Sequence, residues 1–238
     1  MIWSFTHDEF TYVWATETGG DRRPYPVNLA PAGAAATESE QAALRLPERF
    51  PVNADPELTS TLRFIARPDV TRITAFGDKF TDGRRQPDPI LGLGVVFETW
   101  GAAVLATSEK ITVLSCTAGS VAKNLLIVMG SVPAGRLDRM QEPREPVLYP
   151  DPGQWQETAD SRRAKRLRQA LSRPIDARGY LTVTVLPNNP MSPPPVHRTW
   201  LDFSGDGRYL LADGHDLTLA PVGDDKLIRH LCALAQVR

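Results

Sequence analysis

Residues 202–213 read DFSGDGRYLLAD, and two incompatible structures can be read from them. An EF-hand loop needs oxygen ligands at its first, third and fifth positions, a glycine at the sixth and an acid at the twelfth. Asp202, Ser204, Asp206, Gly207 and Asp213 supply all of these. The alternative is a β-hairpin, with the turn-forming residues 204–207 between apolar runs at 200–203 and 208–212.

Internal repetition decides between them. Phe97 and Phe203 stand 106 residues apart, as do Gly101 and Gly207, Leu105 and Leu211, Ala106 and Ala212, Thr112 and Thr218, and Leu125 and Leu231. Upstream, Arg67-Pro68 answers Arg173-Pro174 at the same spacing. Two ordinary hairpin-plus-helix units could fall into register by chance, but a gapless offset running through loops favours duplication. The counterpart of the calcium-like loop, residues 96–107, reads VFETWGAAVLAT. Val96, Trp100 and Thr107 stand where ligands would be, so the copies share the glycine and the apolar positions rather than the oxygens. An EF-hand also needs an amphipathic helix on each side, and neither is present. Residues 202–213 are therefore expected to form a hairpin.

From there the layout extends in both directions. Thr6-x-x-Glu9 is a capping box, predicting a helix with Phe10, Val13 and Trp14 on one face. The Gly19-Gly20 pair after it reads as a helix C-cap. A second helix is expected within 37–46. A third is capped by Asp55 or Asn53, carries Leu58, Leu62 and Ile65, and ends at Pro68. Strands are expected at 71–76, 91–99, 102–106 and 110–114, then a helix at 119–130. The second copy repeats the order: helix 158–171, strands 179–186, 199–203, 208–212 and 216–220, helix 224–236. The fold class expected is α+β, two pseudo-symmetric halves, each an antiparallel β-meander flanked by helices. One sheet per half and one shared sheet are both consistent with this. Of three proline-rich clusters, the one in QEPREPVLYPDPGQ reads as the joint. The expected division is an N-terminal half at 1–140, a connection at 141–157 and a C-terminal half at 158–238.

Composition narrows the function. The 27 basic and 28 acidic residues provide no global field to hold a nucleic acid or an anionic membrane. No apolar run is long enough to span a bilayer and the start, MIWSFTHDEF, lacks the character of a secretory signal, so a cytoplasmic protein is expected. Cys116 and Cys232 sit among aliphatic neighbours and read as buried thiols, and His7, His197, His215 and His230 lack ligand spacing. Neither a metal nor a cofactor is expected.

No nucleophile, base and orienting group can be assembled. The SCTAGS segment at 115–120 offers a cysteine ahead of a helix, but its counterpart reads PVGDDK, and helix capping accounts for both. The protein is expected not to be an enzyme. The strongest charge signal is SRRAKRLRQALSR at 161–173, where Arg162, Arg163, Lys165, Arg166 and Arg168 surround Ala164, Leu167 and Leu171. It reads as a solvated helix face, with contact to an acidic partner or a nucleic acid as the alternative. Interleaved aromatics for base stacking are missing, which disfavours nucleic acid. Two long hairpin connections, FTDGRRQPDP at 80–89 and PNNPMSPPPVH at 187–197, occupy matching places in the copies. Loops of that length are commonly either functional or simply mobile.

Three stretches resemble the EspG family, the ESX secretion-associated chaperones of actinobacterial type VII secretion. They are FTHDEFTYVWATETGGDRRPYPV (5–27), LRFIARPDVTRITAF (62–76), and GYLTVTV with RTWLDFSGDGRYLL and DLTLAPVGDDKLIRHL (179–231). The resemblance implies a central antiparallel sheet with helical bundles, and a chain trimmed around 28–55 and 133–160. It also implies a cytosolic chaperone that binds the tip of a PE–PPE-type heterodimer, keeps it soluble and delivers it for secretion. The family's grip is attributed to the first long loop, the central sheet and the C-terminal helical part. By that resemblance Phe80, Arg84, Arg85 and Gln86 are the candidate partner-binding residues. The alternative, resting on the basic helix 161–173 and not on the resemblance, is a nucleic-acid-binding regulator.

Overall fold

The computed structural model describes residues 1–30, 32–35, 37–81, 86–150 and 158–237. Their centre is one ten-stranded, wholly antiparallel sheet. The first half contributes β1 (Ile2–Phe5), β2 (Thr71–Lys79), β3 (Asp88–Phe97), β4 (Trp100–Ala106) and β5 (Ile111–Thr117). The second contributes β6 (Met140–Pro143), β7 (Ile175–Thr184), β8 (Val196–Phe203), β9 (Gly207–Asp213) and β10 (Asp216–Pro221). Across the sheet the order is β1-β5-β4-β3-β2-β7-β8-β9-β10-β6, so the two meanders meet at β2 and β7. Of the two arrangements left open by the sequence, the single shared sheet is the one observed.

The register tests the spacing of 106. Along the seam Ala75 lies opposite Leu181, two positions separated by that same interval. Thr71 faces Val96 as Ala177 faces Asp202, again at matching positions. The gapless register expected from the sequence fails in the next strand. Phe97 faces Trp100 across a two-residue turn, whereas Phe203 faces Gly207 across three residues. The following hairpin restores the residue, since Ala106 faces Ile111 but Asp213 faces Leu217. A shift of one residue turns every side chain to the opposite face of a strand. Leu105 accordingly packs on one face of the sheet and Leu211 on the other, so Gly207, Leu211 and Ala212 are not the positional equivalents of Gly101, Leu105 and Ala106.

Local signals explain the helices. In α1 (His7–Thr18), Thr6 and Glu9 form the reciprocal capping box and Gly19 closes the helix in the left-handed conformation at φ 72°. The helix expected within 37–46 is two short ones, α2 (Glu38–Ala43), capped by Thr37 and Glu40, and α3 (Leu46–Arg49). In α4 (Pro56–Ala66), Asp55 accepts from the Glu57 and Leu58 amides, and from Trp3 Nε1 at 2.8 Å. The helices α5 (Ala118–Met129) and α8 (Asp224–Leu234) follow Thr117 and Gly223, and neither receives a side-chain cap. Capping is therefore not what SCTAGS and PVGDDK share. The expected connection at 141–157 holds part of β6 and all of α6 (Arg144–Leu148), with 151–157 outside the described residues. Pro143 is tolerated there because β6 is an edge strand. In α7 (Ala159–Leu171), Thr158 caps the start.

Three cores follow. Helices α5 and α8 cover one face, burying Val121, Leu125, Leu227 and Leu231 against Ala75, Leu181 and Trp200. On the other face α1 and α4 cover β3 to β5, with Phe10, Trp14, Leu62 and Ile65 buried. There α6 and α7 cover β8 to β10, with Val147 and Leu167 against Phe203 and Tyr209. The seam is held by a close approach: Gly77 faces Gly179, and a Cβ on Gly179 would lie 2.3 Å from the Phe76 carbonyl and 2.2 Å from the Trp200 ring.

Candidate binding surface

The helices on the second face stop short of the seam. On β2 the residues Ile73, Ala75 and Gly77 point into the α5 and α8 core, so the alternation of a strand turns Thr74, Phe76 and Asp78 the other way. On β7 the same rule turns out Arg178, Tyr180 and Thr182. The register sets Phe76 opposite Tyr180, Thr74 opposite Thr182 and Asp78 opposite Arg178. Aromatic and opposite-charge cross-strand pairs of this kind each stabilise a sheet by about 0.2–1 kcal/mol. Three strand spacings separate β3 from β8, roughly 14 Å, which leaves a trough wide enough for one helix of about 10 Å diameter.

The floor of this trough is aromatic and reaches solvent. Tyr180 is 59% exposed in the middle of a ten-stranded sheet, where an aromatic residue is ordinarily covered. Tyr25, 53% exposed, tilts over Phe76 with ring centroids 6.5 Å apart. Phe80, 39% exposed, ends β2: its amide donates to the Asp176 carbonyl at 2.7 Å and the Arg178 guanidinium lies 5.6 Å above its ring. At the other end of β2, Arg72 donates to the carbonyls of Ile65 and Arg67 and so ties the C-terminus of α4 to the seam. Burial holds its guanidinium below the usual arginine range.

Of the four residues singled out from the sequence, Phe80 stands at the trough's end and Gln86 is exposed beyond it, while Arg84 and Arg85 lie outside the described residues. The two long connections start at opposite ends of the seam. Because β2 and β7 are antiparallel, the chain leaves β2 after Lys79 at one end of the seam and leaves β7 after Thr184 at the other, where the Leu186 amide donates to Thr71 Oγ1 at 3.3 Å. Sequence reading missed Tyr25, Phe76, Arg178 and Tyr180. The one available signal was an aromatic residue on the polar phase of the alternating strand GYLTVTV.

The other candidate sites have structural explanations. Asp202, the first ligand of the calcium-like loop, is buried and accepts from Nε and Nη2 of the fully buried Arg208 at 2.7 and 2.8 Å. Arg208 Nη2 also donates to the Met129 carbonyl at 3.1 Å, at the end of α5. Asp206 accepts from Arg173, from the Tyr209 hydroxyl and from the Arg136 amide. Burial opposes its ionisation, but those three donors outweigh it and hold its carboxyl below the ordinary range. The turn glycine is Gly205, at φ 69°, not Gly207. Burial pushes the Cys116 thiol up, away from the thiolate a nucleophile needs. On α7 the apolar stripe is Ala164, Leu167 and Ala170. Arg163 reaches Glu142 and Asp160, Arg168 donates to the carbonyls of Pro146 and Val147, and Arg173 pairs with Asp206. Much of the basic run thus binds its own fold.

Three comparisons bear on this arrangement. The model of the EspG family matches residues 6–233. The structure is similar to that of the Mycobacterium tuberculosis type VII secretion system chaperone EspG5 in complex with a PE25–PPE41 dimer. The TM-score is 0.61 at 18% identity, over 98% of this chain and 95% of that one. No curated protein sequence matches.

Proposed function

The chain belongs to the EspG family, and from that premise we propose that it is a type VII (ESX) secretion chaperone. It holds the tip of a PE–PPE-type helical heterodimer in the central trough, keeps the pair soluble in the cytoplasm and delivers it for secretion. The observation that carries this reading is the solvent-reaching aromatic floor of Tyr25, Phe76 and Tyr180 at the seam of the sheet. A helical client with an apolar tip self-associates unless that tip is covered, and a trough one helix wide with an aromatic floor supplies the cover. The resolved counterpart EspG5, bound to PE25–PPE41, has the same fold.

The work proposed is binding, not catalysis, with no cofactor or metal. Among the described residues no His, Cys, Asp and Glu cluster could hold a metal ion, and no helix is long and apolar enough to cross a membrane. Phe80, Arg84, Arg85 and Gln86 are proposed to extend the grip from the seam over the client. Replacing Arg84 and Arg85 with glutamate is expected to weaken client binding at least tenfold, about 1.4 kcal/mol. Titration of a purified PE–PPE-type pair onto wild type and variant tests this, and equal affinities would remove the loop from the site.

A further inference from the structure

The back of the sheet holds a second cleft, about 360 Å³ in volume, beside α8. Leu210 and Val222 form its floor, on the face carrying Trp200 and therefore opposite the trough. Arg139, Arg198, Lys226 and His230 form its walls, and no described residue lining it is acidic.

Among the described residues the three cations have only neutral acceptors. Arg139 donates to the Gln141 side-chain carbonyl at 3.0 Å, Arg198 to the His197 carbonyl at 2.8 Å and Lys226 to the Pro221 carbonyl at 3.1 Å. None of them pairs with a carboxylate among the described residues. Other arginines of the fold do: Arg49 with Glu9, Arg163 with Glu142, Arg173 with Asp206 and Arg208 with Asp202. His230 Nε2 is buried without a hydrogen-bond partner.

We propose that this cleft binds a compact oxyanion, a phosphate or a carboxylate group, on the face of the sheet opposite the trough. A guanidinium matches two oxygens of such a group at once, a lysine ammonium adds a point charge, and an imidazole N–H adds a third donor. Burial first, then the positive charges of Arg198 and Lys226, hold the His230 imidazole below its usual range. An oxyanion among these groups reverses the repulsion. The site is independent of the trough reading, since it lies on the opposite face of the sheet.

The test follows the His230 ring protons by NMR while sodium phosphate, sodium citrate or a hexaglutamate peptide is added against sodium chloride at equal ionic strength. A saturable shift, a rise in the His230 pKa, and affinity weakened at least tenfold in Arg198→Gln and Lys226→Gln are expected, with Tyr180→Glu unaffected. Saturation by phosphate or citrate alone assigns the site to a free small anion. Tighter saturation by hexaglutamate assigns it to an acidic protein segment. A shift that chloride reproduces, no saturation by any of the three, or affinity unchanged in both variants overturns the proposal. Lys226 is exposed, so its variant carries the test if Arg198→Gln loses the native circular dichroism spectrum.

Discussion

Tyr180 is the residue on which the proposed binding surface turns. Its backbone is fixed by neighbours on both sides, Phe76 and Thr199, yet its ring reaches solvent. Tyr180→Glu is expected to leave the melting temperature within about 2 °C of wild type, as exposed substitutions do. The same change is expected to weaken client binding at least tenfold, about 1.4 kcal/mol, in a calorimetric titration. The opposite case is Asp202, a buried side chain bonded to Arg208 outside the proposed trough. Asp202→Ala removes both hydrogen bonds to the buried Arg208 and leaves it only the more distant Asp224 carboxylate, 3.7 Å from Nη1, and is expected to destabilise the fold by about 3–5 kcal/mol in urea unfolding. Replacing both with leucine and methionine is expected to restore most of that loss. Equal destabilisation in the double variant would mean that packing, not the charge left behind on Arg208, sets the cost.

Among the elements, α4 shows how one side chain sets a boundary. Asp55 caps the helix, and its carboxyl is held below the ordinary range chiefly by the Leu58 amide, with Trp3 and Glu57 adding to it against burial. A carboxylate with a depressed folded-state pKa adds stability above its unfolded value, about pH 4, and loses it as the pH falls through the folded value. Asp55→Ala is expected to cost about 1 kcal/mol at pH 7 and to flatten the loss of stability below pH 4. An acid limb as steep as wild type's would exclude Asp55 as its source.

The elements were largely legible in the sequence because their signals are local. Thr6, Glu9, Gly19, Asp55 and Pro68 mark helix ends through a few neighbouring backbone groups, and the spacing of 106 placed the strands of the second meander. Register within a hairpin was not legible. Whether a turn holds two or three residues is decided by closure at Gly205 and by packing, and it moved β9 by one position. The trough was not legible either. Its residues come from β2, β7 and the segment before Val27–Leu29, and only the meeting of the two meanders brings them together.

At the scale of the whole molecule, the seam both joins the halves and supplies the floor of the proposed client trough. Gly179→Val is expected to open it, since a Cβ there meets the Phe76 carbonyl and the Trp200 ring. Overpacking of this kind costs about 1–3 kcal/mol or more, and client binding is expected to fail along with stability, read by thermal melting and titration on the same sample. A variant that melts like wild type would show that the strands separate there without cost.

The most direct test of the chaperone reading is a pull-down of the tagged chain from its host's lysate, with the bound proteins identified by mass spectrometry and repeated with Tyr180→Glu. The expected result is a PE–PPE-type pair recovered in equimolar amount with wild type and lost with the variant. Recovery of nucleic acid alone, released at moderate salt, or of the same pair in full amount with Tyr180→Glu, would contradict the assignment of the trough as the client site.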